Sequence, residues 1–287
     1  MQHLTNTGHD MTDDELIDLE IRLLMEGIYQ VYGYDFREYS GASLRRRLTQ
    51  WLVGSGFATL SLAQSHLLRD RALFKNLLQS ITVSVSDLFR DPAFFKALRE
   101  QVIPRLQTYP FIKIWHAGCA TGEEAYSMAI LLLEERLHGR FRIYATDINE
   151  EVLRKAREGI YPLQEMQRFT RNYQQAGGKA SFSDYYTARY DHAILNSQLK
   201  ENIVFAAHNL AVDSDFGEMN LILCRNVMIY FKQPLKERVL RLFDNSLAPG
   251  GFLCLGAKES LDNREISGCY EAITQRMQIY RKKYAKK

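Results

Sequence analysis

Apolar positions in the first third of the chain recur at intervals of three and four, the period of helix faces. Leu16, Leu19, Leu23, Leu24 and Ile28 are expected on one face of a helix opened by Thr12 and Glu15, a capping-box pair. A loop from Gly33 to Gly41 leads to "SLRRRLTQWLVGSG", where Leu44, Leu48 and Leu52 repeat at helical spacing and Gly54 and Gly56 stop the helix. Two more helical stretches are expected over 60–69 and 72–79. "RDPAFFKALREQVIPRL" starts another, with Asp91 as N-cap and Pro92 in the first helical position.

From Phe111 the pattern changes to short β-rich runs separated by helices. Strands are expected over 112–116, 142–146, 203–207, 221–224, 252–255 and 277–280, and helices over 123–137, 149–157 and 236–247. Alternation of this kind implies an α/β fold: a doubly wound, mostly parallel sheet covered by helices on both faces, preceded by an all-helical domain. The stretch between the second and third strands is about 40 residues longer than one crossover needs. Its alternating "SFSDYYTARYDHAILN" predicts a small antiparallel β insert over about 175–200.

Composition narrows the class. The chain has 287 residues, 46% hydrophobic and 25% charged, as in a globular protein. A net charge of +3 gives no global field for nucleic acid or an anionic membrane. The four cysteines are far apart and form no C-x-x-C pair, so neither a metal site nor a disulfide framework is expected. The polar, acidic start "MQHLTNTGHDMTDDE" is no signal peptide, and no apolar run reaches the roughly 20 residues that span a bilayer. A reduced, cytoplasmic protein without membrane insertion is the expectation.

Open parallel sheets bind ligands at the carboxyl ends of their strands. Polar groups follow four of the expected strands: Gly118-Cys-Ala-Thr-Gly122-Glu-Glu after the first, Asp147 after the second, Asn209-Leu210 after the third, and Arg225-Asn226 after the fourth. A lone Asp after a strand more often caps a helix than meets a ribose hydroxyl, but four such groups in register exceed ordinary turn chemistry. A pyrophosphate at the glycine turn would be repelled by Glu123 and Glu124, and the G-x-G-x-x-G fingerprint is missing. S-adenosylmethionine has no phosphate, and its methionine end carries a sulfonium and an ammonium against one carboxylate. A carboxylate at the turn suits that end, Asp147 suits the ribose, and Arg90 suits the methionine carboxylate.

The stretches "SVSDLFRDPAFF", "GCATGEEAYSMA", "ATDIN", "AAHNL", "LILCRNVMIYF" and "LAPGGFLCLGAKESL" resemble, in order, the chemotaxis receptor methyltransferases of CheR type. The resemblance implies a protein-glutamate O-methyltransferase with a helical domain over 1–80, a linker and helix contributing to the cofactor site over 81–110, and a methyltransferase domain over 111–287. It carries the family's cofactor contacts to Ser84, Ser86, Arg90, Glu124, Asp147, Asn209, Leu210, Arg225 and Asn226, beside the turn glycine Gly118. Ser84 and Ser86 stand where the family usually has Asn and Thr, Leu88-Phe89 replaces a pair of phenylalanines, and Ala125 replaces a proline. Arg90 is expected to steer the acceptor acid and Tyr230 to hydrogen-bond it, although a half-buried core tyrosine fits position 230 equally.

The same resemblance makes the basic run Arg45-Arg46-Arg47 a candidate docking face for an acidic receptor helix, against its plain reading as a solvated helix face. The partner implied is the cytoplasmic helical domain of a methyl-accepting chemoreceptor, met by a monomer, with S-adenosylhomocysteine as the spent cofactor. Two alternatives stay open: a methyltransferase of the same fold acting on another protein or a small carboxylic acid, and a non-catalytic adaptor. No N-P-P-Y-like stretch for a flipped base is present, which argues against a DNA substrate.

Overall fold

The computed structural model describes residues 11–83, 86–215, 217–261, 263 and 265–284. The chain divides into two units, Met1–Ile81 and Thr82–Lys287.

Among the described residues the first unit has four helices: α1 (Asp13–Tyr32), α2 (Gly41–Ser55), α3 (Leu60–Leu67) and α4 (Arg71–Ile81). The capping box forms as the sequence predicts. The Thr12 hydroxyl accepts from the Glu15 N–H at 3.3 Å, and the Glu15 carboxylate accepts from the Thr12 N–H at 2.8 Å. The buried stripe of α1 is Ile21, Leu24, Met25 and Ile28, whereas Leu16 and Leu23 are 50% and 51% exposed. The expected single face is therefore two: at 3.6 residues per turn Leu16, Leu19 and Leu23 lie nearly opposite the buried stripe. On α2, Trp51 joins Leu44 and Leu48 in the core, and its indole N–H donates to Asn76 at 2.8 Å.

The second unit opens with α5 (Pro92–Ala97), a wider turn over Leu98–Val102, and α6 (Ile103–Leu106). Then follow β1 (Ile112–Ala117), α7 (Glu123–Glu134), β2 (Phe141–Asp147), α8 (Glu150–Glu158) and β3 (Ile160–Pro162). After these come α9 (Met166–Gln175), β4 (Tyr186–Arg189), β5 (His192–Leu195), α10 (Ser197–Lys200), β6 (Ile203–Ala207) and β7 (Met219–Cys224). The last elements are α11 (Gln233–Ser246), β8 (Leu247–Leu255), β9 (Tyr270–Thr274) and β10 (Ile279–Lys282).

Seven of the described strands form one sheet in the order β6-β2-β1-β7-β8-β10-β9. β1 pairs in parallel with β2 on one side and β7 on the other, so strand order reverses beside β1. β10 runs antiparallel to both β8 and β9. The near-continuous burial of β1, β7 and β8 follows from helical cover on both faces. The small antiparallel sheet, β3-β5-β4, draws its first strand from Ile160–Pro162, ahead of the aromatic stretch that predicts it. Part of the apparent excess length is α9, which buries Met166, Phe169 and Tyr173 at helical spacing and has no counterpart among the expected helices. β9 has no counterpart among the expected strands, because "YEAITQ" mixes charge and β-branched residues without alternation.

Candidate active site

The carboxyl ends of β1, β2, β6 and β7 bring the expected polar groups to one edge of the sheet. After β1 the chain turns through Gly118 (φ 77°), Ala120 (φ 47°) and Gly122 (φ 92°) before α7 begins. A Cβ on Gly118 would overlap the Val227 side chain, so glycine there serves close packing as well as backbone freedom. The N–H groups of Gly118 and Cys119 both donate to the Thr146 carbonyl at 2.8 Å, tying the turn to the end of β2. The Ala120 N–H donates to the Asp147 carboxylate at 2.9 Å, and the Asn149 N–H donates to its other oxygen at 3.0 Å. Burial raises the Asp147 pKa, opposed by the backbone N–H groups of Asn149, Ala120 and Ile148.

Arg225, at the end of β7, organises the centre. Its side chain is 2% exposed, donates to Glu124 and to Asp91 at 2.6 Å each, and lies 3.9 Å above the Phe94 ring. One guanidinium thus serves two carboxylates, buried Glu124 and exposed Asp91. Glu124 is therefore no free carboxylate facing a cation, as its place in the turn suggests; its charge is shared with Arg225. Asp91 also departs from expectation. It sits at the N-cap position of α5 with φ 57° and no side-chain cap bond, because its carboxylate is engaged by Arg225.

Two neighbours complete the electrostatics. His116 is buried, with its Nδ1 3.7 Å from Glu124, too long for a hydrogen bond. Burial, with help from Arg225, lowers its pKa to about 3, so the ring is neutral. Burial pushes the Glu123 carboxyl up to about 7, against a bond from its own N–H and one from the Thr121 hydroxyl at 2.8 Å.

Arg90 projects from a turn with left-handed residues on both sides, Phe89 (φ 52°) and Asp91 (φ 57°). The Phe89 N–H is held by the Ser127 hydroxyl at 2.7 Å. The Arg90 side chain makes no hydrogen bond or ion pair with another described residue. Asn226 is left-handed as well (φ 61°), and its buried Oδ1 has no partner among the described residues. Of the seven non-glycine residues with positive φ among the described residues, Phe89, Asp91, Ala120 and Asn226 all fall here, a concentration of strain typical of working sites.

Asn209 accepts from the Ala211 N–H at 3.0 Å beside buried Leu210. Ser86 is half-buried in the segment leading to Arg90, and Ser84 lies outside the described residues. Tyr230 ends a short 3-10 turn, Met228–Tyr230, and is half-buried. The three arginines of α2 separate. Arg45 is paired with Asp14 and, at 3.6 Å, Asp18. Arg47 donates to the Ser80 carbonyl at 3.4 Å, while Arg46 is exposed with no bond to another described residue. Of the three, Arg46 alone is exposed without a bond to another described residue.

Sequence reasoning missed Glu259, a buried carboxylate between Gly256 and Leu261 that accepts four backbone N–H groups at this edge. Its signal was a charged residue in the turn just beyond the buried β8. Asp91 takes the N-cap position the sequence predicts, but its carboxylate serves Arg225 instead of the helix.

Residues 84–276 match the family model described as "CheR methyltransferase, SAM binding domain", and residues 19–82 match "CheR methyltransferase, all-alpha domain". The chain belongs to the CheR methyltransferase family. A Pseudomonas putida protein named "Putative methyltransferase Cher3" is 50% identical over 272 residues, covering 95% of this chain and all of its own length. The "Chemotaxis protein methyltransferase" of Salmonella typhimurium is 30% identical over 263 residues, 88% of each chain. That of Listeria monocytogenes is 29% identical over 233 residues, covering 80% of this chain and 86% of its own.

As a CheR methyltransferase the chain uses S-adenosylmethionine as methyl donor. The site fits that group: the buried Asn226 Oδ1 has no partner among the described residues, and the Asp147 carboxylate stands at the end of β2 beside the turn.

Proposed function

We propose that this CheR methyltransferase esterifies glutamate side chains of a bacterial chemoreceptor cytoplasmic domain, releasing S-adenosylhomocysteine. The observation that carries this reading is the match of residues 84–276 to the CheR SAM-binding domain, in a chain whose relatives are named chemotaxis protein methyltransferases. An amine or hydroxyl acceptor has a proton to lose, whereas a glutamate with a reference pKa of about 4.3 arrives ionised. A carboxylate acceptor of this kind needs no general base.

S-adenosylmethionine supplies a methyl group on a sulfonium. The residues proposed to hold it are Gly118, Glu124, Asp147, Asn209, Leu210, Arg225 and Asn226, with Ser84, Ser86 and Arg90 from the preceding segment. Arg225 acts through Glu124 and Asp91, fixing the turn and α5 rather than offering its own guanidinium. Asp147 is held by the turn's own N–H and presents its carboxylate beside β2. Arg90, whose side chain makes no hydrogen bond or ion pair with another described residue, draws in the acceptor carboxylate, and Tyr230 hydrogen-bonds it. With no proton to remove, the residues have to align the carboxylate and exclude its water, and positioning of this kind contributes about 7–11 kcal/mol. Arg46 is the proposed docking charge on the helical unit.

The test is transfer of labelled methyl from S-adenosylmethionine to receptor cytoplasmic domains of the source organism, scored as volatile methanol after alkali. Methyl esters hydrolyse in base and N-methyl groups do not. A base-labile signal that disappears when the acceptor glutamates become alanine is expected. A base-stable signal, or equal transfer to a short free acid, would contradict the proposed acceptor.

A further inference from the structure

Glu259 stands two elements away from the glycine turn, in the loop after β8, yet its carboxylate is 7% exposed. Oε2 accepts from the N–H groups of Asn226 at 2.9 Å and Gly256 at 2.6 Å. Oε1 accepts from Val227 at 3.0 Å and Ile229 at 3.3 Å. Three of these four donors belong to the loop that follows β7, and that loop carries both Asn226 and Tyr230. Asn226 has left-handed backbone, which for asparagine costs energy unless its surroundings fix it. The Val227 and Ile229 N–H groups are the open donors at the start of the 3-10 turn ending in Tyr230, so Oε1 caps that turn as a carboxylate caps a helix. Gly256 makes the approach feasible: a Cβ there would lie 2.5 Å from Glu259 Oε2 and 2.8 Å from the Asn226 nitrogen.

We infer that Glu259 is a positioning residue for methyl transfer, clamping the β7 loop to the end of β8 so that Asn226 faces the cofactor and Tyr230 the acceptor. The inference rests on the proposed roles of Asn226 and Tyr230. It commits the carboxylate to a particular requirement: both oxygens have to accept, two N–H groups each. An isosteric amide keeps the shape and loses one acceptor, turning an N–H group toward donors.

The experiment compares the full chain with Glu259→Gln, Glu259→Asp and Gly256→Ala. Binding of S-adenosylhomocysteine, kcat and KM for the acceptor, and hydrogen exchange of the 224–231 peptide are measured for each, well below the melting midpoint. E259Q is expected to speed exchange in that peptide alone, weaken S-adenosylhomocysteine at least about tenfold and lower kcat, since misplacement of about 1 Å can cost about 100-fold. E259D, which retains both oxygens, recovers more activity than E259Q, the reverse of what packing by shape would give. G256A disturbs the same contact from the other side and follows E259Q, so the inference is still tested where E259Q fails to fold. Exchange, affinity and kcat within twofold of the parent in E259Q or in G256A would overturn it. Asn226→Gly separates the two layers, because glycine tolerates the left-handed backbone. Unchanged affinity in N226G refutes the reading of Asn226, whereas weak N226G beside normal E259Q refutes only the clamp.

Discussion

At the scale of single residues, Glu123 offers a pH signature. Its carboxyl titrates near 7 in the fold against 4.5 when free, with burial as the main cause. The fold favours the protonated form, so this group's stabilisation is full below about pH 4.5 and is lost as pH rises to about 7. Glu123→Gln keeps the neutral form, and its stability relative to the parent should grow from about pH 5 to about pH 8 by up to about 3 kcal/mol. Parallel urea titrations across that range check it; a difference independent of pH would contradict it. Gly118→Ala adds a Cβ to a left-handed residue already against Val227, and should destabilise by about 1–3 kcal/mol and weaken S-adenosylhomocysteine. The polar groups of this edge were legible because each follows a strand. The partners of those groups were not: Asp91 and Glu124 are 134 and 101 positions from Arg225, and only the fold reveals that one guanidinium serves both.

At the scale of elements, a second buried cluster fastens the small sheet and α9 to α7. Arg99 donates to Glu134 at 2.6 Å and to Glu135 at 2.5 Å, with its side chain only 9% exposed. Glu134 also accepts from the hydroxyls of Tyr173 and Tyr185 and from the Lys179 N–H at 2.9 Å. Arg99→Met would leave Glu134, 4% exposed, without its cation and should cost about 3–5 kcal/mol in urea unfolding, with Arg99→Met/Glu134→Gln recovering part of the loss. A loss under about 1 kcal/mol would mean that the tyrosines alone hold the carboxylate. Local signals read well here: the Thr12 capping box and Pro92 in the first turn of α5 are where the sequence puts them. Faces read less well. The two apolar stripes of α1 give overlapping three-and-four spacings, and burial alone decides which stripe is core.

At the scale of the whole chain, the alternation of strands and helices was enough to derive a mostly parallel sheet with an antiparallel insert. It was not enough to derive β9, which adds an edge strand beyond β10. Among the described residues no helix is long and apolar enough to cross a membrane. The charge run on α2 splits in the fold, as consecutive helix positions must. Arg45 and Arg47 serve their own unit, so Arg46→Glu should weaken binding of the receptor domain while leaving S-adenosylhomocysteine affinity unchanged, measured side by side by calorimetry. Equal loss of both would remove Arg46 as a docking charge. The central claim is the acceptor atom, and peptide-resolved mass spectrometry of a receptor cytoplasmic domain incubated with this chain and S-adenosylmethionine tests it most directly. The account predicts one added methyl on glutamate side chains, removed by alkali. A methyl on lysine, or on any residue that keeps it through alkali, would contradict it.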